Sequence, residues 1–96
     1  MASSCSLDRD GRARQLARYA GLAPSVVAVE RGARRLAIAF GEGYDRGLLD
    51  ELVAVERECC PFLGIEVDER RLAIAVERDD DAPMLDVFAE ALTPSR

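Results

Sequence analysis

The sequence predicts an α+β two-layer sandwich, in which two hairpins form one four-stranded antiparallel sheet and the elements run αββαββα. Three observations lead there. Arg34-Arg35-Leu36-Ala37-Ile38-Ala39 recurs unchanged as Arg70-Arg71-Leu72-Ala73-Ile74-Ala75, 36 residues later. In and before each copy, apolar residues alternate as a half-buried strand requires. Between and after the copies they recur every three or four positions instead, the period of a helix packed on one face.

Taken in order, residues Met1 to Ser6 are small and polar and are expected to be mobile, carrying Cys5. A first helix follows, capped by Asp8 or Asp10, with Ala13, Leu16, Ala17 and Ala20 facing inward, Tyr19 beside them, and Gly21 and Pro24 closing it. Ser25 to Phe40 forms a hairpin. Gly at the first central position of a type II′ turn places the turn at Gly32-Ala33, setting Arg31 opposite Arg34, Glu30 opposite Arg35, Val29 opposite Leu36 and Val27 opposite Ile38.

Asp45 is the natural N-cap of the second helix. Leu48, Leu52, Val55 and Cys59 form its inward stripe, widened by Leu49 and Val53, with Glu51, Glu56 and Arg57 outside. Pro61 stops it, because the residue before a proline is pushed out of the α region. The second hairpin turns at Glu69-Arg70 and pairs Asp68 with Arg71, Val67 with Leu72, Ile65 with Ile74 and Leu63 with Val76. Asp79 to Asp81 offer caps for a last helix that has Pro83 in its first turn and buries Met84, Leu85, Phe88 and Leu92. The repeat covers about residues 12–44 and 48–80, the last helix 81–92, and the whole is one domain over 1–96 with a frayed tail from Thr93.

The side of the sheet away from the helices reads Val26, Ala28, Ala37, Ala39, Gly64, Ala73 and Ala75. Solvated sheet faces normally carry polar side chains. Two readings compete: an undistinguished surface partly covered by the first helix, or a flat patch against which a second copy or another protein packs.

Composition bounds the function. The formal charge is −5, and all 13 cationic side chains are arginine. A negative domain lacks the electrostatic footprint for nucleic acid or anionic membranes, so neither is an expected partner. Near the N-terminus there is neither a basic segment nor an apolar one, and the expected location is the cytoplasm. The absence of histidine removes the usual general base near neutral pH and the commonest metal ligand. With no lysine, phosphate-binding loop or paired carboxylates either, the sequence points away from an enzyme. Three cysteines in a reducing compartment imply free thiols and no structural disulfide.

One junction carries distinctive chemistry, Glu58-Cys59-Cys60-Pro61-Phe62, where the second helix meets a strand. Adjacent thiols suit soft ions: two can hold mercury(II) or copper(I), three can hold arsenic(III), and zinc prefers four ligands. The candidate ligands are Cys59 and Cys60, with Glu56 or Glu58 nearby and Cys5 as an optional third thiol. Against this, Cys59 continues the inward stripe and aligns in the repeat with Ala23, which makes it a packed core residue and leaves Cys60 as the freer thiol. A helix C-terminus flanked by Glu56 and Glu58 disfavours a thiolate, so a catalytic nucleophile is not expected. The run Asp79-Asp80-Asp81 lacks the spacing and central glycine of a calcium loop.

At Glu56-Arg57-Glu58-Cys59-Cys60-Pro61-Phe62 the chain resembles short uncharacterised bacterial proteins, many of them actinobacterial, with a Glu-x-x-Cys-Cys-x-Phe-like junction between a helix and a hairpin. The resemblance covers Leu48 to Leu92. Similar segments occur near heavy-metal resistance functions, which implies soft-metal or thiol chemistry and assigns no catalytic role. The sequence thus supports a small non-enzymatic module that binds a soft metal through Cys59 and Cys60. The rival is an interaction or dimerisation domain that uses the alanine-rich face.

Overall fold

A computed structural model of the chain describes residues 9–93. The expectations for Met1 to Ser6, for Cys5 and for Asp8 as a cap lie outside the described residues. The elements are α1 (Arg9–Arg18), β1 (Val26–Arg31), β2 (Arg35–Phe40), α2 (Arg46–Cys59), β3 (Gly64–Asp68), β4 (Arg71–Ala75) and α3 (Pro83–Ala91). Short 3-10 turns lie at Tyr19–Gly21, Ala23–Ser25 and Asp79–Asp81. The strands form one antiparallel sheet in the order β1-β2-β4-β3, so each hairpin contributes one central and one edge strand.

Strand alternation divides the sheet into two unlike faces. Leu36, Ile38 and Phe40 of β2, Ile65 of β3, and Leu72 and Ile74 of β4 point into a single core. Leu49, Leu52 and Val53 of α2, Leu85 and Phe88 of α3, and Tyr19, Leu22 and Leu92 fill the same core from the helical side. Ala37, Ala39, Ala73 and Ala75 point the other way and stay half-buried, and none belongs to the core or to the side chains packed on it.

The repeat pairs with itself. Along the β2–β4 ladder Leu36 lies opposite Ile74, Ala37 opposite Ala73 and Ile38 opposite Leu72. Ala37 and Ala73 are equivalent positions of the two copies, so a local two-fold axis passes between them, normal to the sheet. The hairpins obey the same symmetry: Glu30 opposite Ala37 in the first corresponds to Glu66 opposite Ala73 in the second.

The second hairpin has the expected register, with Asp68 opposite Arg71, Val67 opposite Leu72 and Ile65 opposite Ile74. The first does not. Arg31 lies opposite Leu36, Glu30 opposite Ala37 and Val29 opposite Ile38, a shift of two residues from the predicted pairing. The backbone of Gly32 instead donates to Arg35 O at 2.7 Å, which makes Ala33 and Arg34 the central turn residues. A shift of two preserves each residue's face, so the apolar pattern could not tell the registers apart.

A bulge between Val26 and Ala28 changes the face of one residue. Val26 pairs with Phe40 and packs against the core, so it does not belong to the alanine face as expected. Val27 falls in the bulge and is 68% exposed. The first helix is also turned: Gln15 is buried while Ala13 and Ala17 are exposed, and in the 3-10 turn that follows Tyr19 is buried and Ala20 exposed. At the start of α3, Asp79–Asp81 form a 3-10 turn rather than a cap, and Ala82 and Pro83 begin the helix with no side-chain cap bond. Asp45 does cap α2, its Oδ1 accepting from Leu48 N at 3.0 Å.

The turn between β3 and β4 sets Glu69 at a φ of 35°, in the left-handed region that costs an L-residue about 1–2 kcal/mol. Its backbone carbonyl is held by Tyr44 Oη and by Arg46 Nη1, the latter at 3.1 Å. Glu69→Gly keeps that carbonyl and removes the steric conflict, against an entropic penalty of roughly 0.5–1 kcal/mol for glycine. The variant is expected to be more stable by about 0.5–1 kcal/mol in urea unfolding, and an unchanged or lower midpoint contradicts the strain.

Candidate functional site

The cysteine junction is placed by the rotation of α2, and that rotation is set by a charged residue. Leu49, Leu52, Val53 and Glu56 are the buried residues of α2, and Cys60 continues the stripe just past its end. Glu56 is only 1% exposed, although a carboxylate at this point was expected on the outside. It is buried because donors meet it there. Arg12 Nη1 donates to both carboxylate oxygens at 2.9 Å, and Gln15 Nε2 and Tyr19 Oη each donate to Oε1 at 3.3 Å. A second donation from Gln15 Nε2, to Leu52 O at 3.2 Å, ties α1 to the backbone of α2.

The network extends to α3 through aromatic contacts. The guanidinium carbon of Arg12 lies 5.1 Å from the centre of the Phe88 ring, and Tyr19 meets the same ring edge-on with centroids 5.6 Å apart. Arg12 Nη1 also lies 3.9 Å from Cys60 Sγ.

With α2 turned this way, the expected roles of the two cysteines are exchanged. Cys60 is the fully buried core residue, and Cys59 is half-buried. Cys60 is disulfide-bonded, and its partner is not Cys59, which is a free thiol. The expectation of no disulfide therefore fails at Cys60. The count of cysteines and the assumed compartment say nothing about which sulfurs the fold brings together. Among the remaining candidate ligands, the Glu56 carboxylate is engaged by three side chains, Glu58 is exposed, and Cys5 is outside the described residues. Among the described residues no group of three or more potential ligands comes together to hold a metal ion.

After Cys60 the chain turns, with Leu63 N donating to Cys60 O at 3.0 Å, and Arg57 Nη2 reaches Ile65 O at 3.0 Å. A solvent-open groove of about 390 Å³ lies beyond this turn between Pro61–Gly64 and Ala75–Arg78, with Asp81 at its side. Its lining holds no cysteine.

The second candidate is the open sheet face. Four half-buried alanines, Ala37, Ala39, Ala73 and Ala75, form its centre. Around them stand Glu30, Arg35, Glu66 and Arg71, all exposed, and beyond them Asp68, which lies opposite Arg71 on the same face and has Gly32 as its equivalent in the first hairpin. Glu30 and Glu66 are equivalent in the repeat, as are Arg35 and Arg71, so the local two-fold axis relates the members of each pair. No ion pair involving any of these four forms among the described residues. Their neighbours on the hairpins do form them: Arg31 with Asp86 at 2.9 Å, Arg34 with Asp79 at 3.9 Å and Arg70 with Glu42 at 3.7 Å. Shallow depressions of about 100 and 180 Å³ flank Glu30, the first bordered by Ala28, Ala39 and Arg71, the second by Gly32 and Arg35.

Sequence reasoning missed Arg12, Gln15 and Tyr19 as partners of Glu56, and the four charged residues around the alanines. The second group was readable from the 36-residue offset, which maps Glu30 onto Glu66 and Arg35 onto Arg71. Comparison with family models, curated proteins and solved structures finds no match for the chain. No helix among the described residues is long and apolar enough to cross a membrane.

Removing one member of a buried ion pair strands the other, at a cost of about 3–5 kcal/mol. Glu56→Ala and Arg12→Ala are each expected to fall in that range in urea unfolding. The double variant should lose clearly less than the two losses combined, whereas strict additivity contradicts the coupling.

Burial, and after it the Glu56 carboxylate, raise the Tyr19 hydroxyl well above its ordinary value. The folded state therefore keeps this proton after an unfolded tyrosine has lost it near pH 10, and stability that is intact below about pH 10 declines above it. Tyr19→Phe should cost about 1–2 kcal/mol at neutral pH through the lost bond to a charged acceptor. It should also flatten the alkaline decline in unfolding free energy measured between roughly pH 8 and 11.

Proposed function

We propose that the protein is a non-enzymatic interaction module whose working surface is the open sheet face and whose partner is a second copy of the chain. The observation that carries this reading is the uncovered alanine face itself. Its centre, Ala37, Ala39, Ala73 and Ala75, is apolar and low in relief, where a sheet surface destined only for water carries polar side chains. Small side chains let a second sheet approach closely, and a mixed rim of Glu30, Arg35, Glu66, Asp68 and Arg71 suits a surface that meets its own copy.

The face also bounds the strength of the contact. Four strands of five or six residues present a plane of about 19 by 17 Å. That is less than the roughly 800 Å² per partner of a standard stable interface. The dimer is therefore expected to be weak, dissociating in the micromolar range or above.

The soft-metal reading has less to rest on. Cys59 is its one free thiol among the described residues, and the neighbouring sulfur and the Glu56 carboxylate are already engaged.

Sedimentation velocity across a wide concentration series tests the proposal. The wild type should show a concentration-dependent monomer–dimer equilibrium, and Ala37→Glu, Ala73→Glu should remain monomeric with an unchanged circular dichroism spectrum. A wild type that is strictly monomeric up to millimolar concentration overturns it.

A further inference from the structure

We infer that two copies pack through this face with their strands crossing near a right angle, so that Arg35 and Arg71 of each copy meet Glu30 and Glu66 of the other. The inference rests on the dimer proposed above and specifies its geometry. Its origin is the spacing of the four charges about the local axis between Ala37 and Ala73. Glu30 on β1 and Glu66 on β3 lie across the strands, one and a half strand spacings or about 7 Å from the axis. Arg35 on β2 and Arg71 on β4 lie half a spacing sideways and two residues along, also about 7 Å from the axis. The two glutamates thus define one direction across the face, and the guanidinium groups define another nearly perpendicular to it, with Asp68 at one corner beside Arg71.

When one such face is laid on a second with strands aligned, Glu30 comes to rest over Glu66 or over the other copy's Glu30. Both arrangements juxtapose like charges at the rim, which suppresses association. Turning the second copy by about a right angle removes both conflicts and sets each arginine beside a glutamate, and of the two such turns the favoured one carries Asp68 away from its counterpart and toward Arg35 of the other copy. Orthogonal sheet packing is one of the two ordinary modes for sheets in contact.

The remaining features agree with this arrangement. The alanines occupy the centre, where the sheets are closest, and the charged side chains stand at the edge, where long side chains can span the gap. Glu30 is flanked by depressions into which an arginine from above can descend. None of the four charges is already neutralised by an ion pair among the described residues, although Arg31, Arg34 and Arg70 close by all form one.

Complementary charge reversal provides the test. An acidic variant, Arg35→Glu with Arg71→Glu, and a basic variant, Glu30→Arg with Glu66→Arg, alter only exposed side chains, and thermal unfolding monitors their folding. Each alone should dimerise at least tenfold more weakly than the wild type in sedimentation velocity. Mixed in equal amounts, they should recover a heterodimer, weakened by added salt. If the wild type dimerises and both variants dimerise equally well, or if the mixture recovers nothing, the crossed pairing is wrong while the interface stands. A wild type that never dimerises removes both.

Discussion

The buried pair of Glu56 and Arg12 is the constraint on which the helical layer depends. A carboxylate that is 1% exposed is tolerable only where donors replace the water it has lost, and here they come from one neighbouring segment: Arg12, Gln15 and Tyr19. That requirement fixes the faces of two elements at once. α1 must turn its polar Arg12 and Gln15 inward and leave Ala13 and Ala17 in water, and α2 must present Glu56 rather than Val55 to the interior. Phe88 joins the third helix to the arrangement by lying against both Arg12 and Tyr19. A single ionic contact thereby sets the mutual orientation of all three helices over the sheet, and the inward direction of Cys60 follows from it.

Much of the fold was legible because the chain states its plan twice. The order of elements, the shared sheet and the register of the second hairpin follow from the repeated hexapeptide and the alternation around it. The first hairpin was misread although the same repeat contained its register: Ala33-Arg34 is the equivalent of Glu69-Arg70, but the preference of a type II′ turn for glycine favoured Gly32-Ala33. Local turn chemistry was given more weight than a long-range correspondence, and the correspondence was the better guide.

The helix rotations were not legible for a different reason. Hydrophobic periodicity assigns charged residues to the outside, so a stripe that includes Glu56 is read one residue out of phase. That displacement moved the inward position from Cys60 to Cys59 and reversed their roles. Only partners 37, 41 and 44 positions away, Tyr19, Gln15 and Arg12, explain the burial, and nothing in the local pattern announces so distant a pairing. The two surfaces weighed for function consequently differ in kind. The cysteine junction belongs to the helical side, tied to the buried network, whereas the alanine face is built by the alternate residues of the same strands and is untouched by that network.

Two identical hexapeptides at the centre of a sheet carry no mark of which half of the chain they come from. The ladder that β2 forms with β4 is one that β2 of another molecule could offer almost equally well, since the residues in contact are the same. What favours the proper partner is the tether through α2, which holds the two halves at an effective concentration on the order of millimolar. The chain is, in this sense, a dimer of half-length units that have been joined end to end. Its central seam is also the place where strand exchange between crowded, newly made chains meets the least chemical resistance.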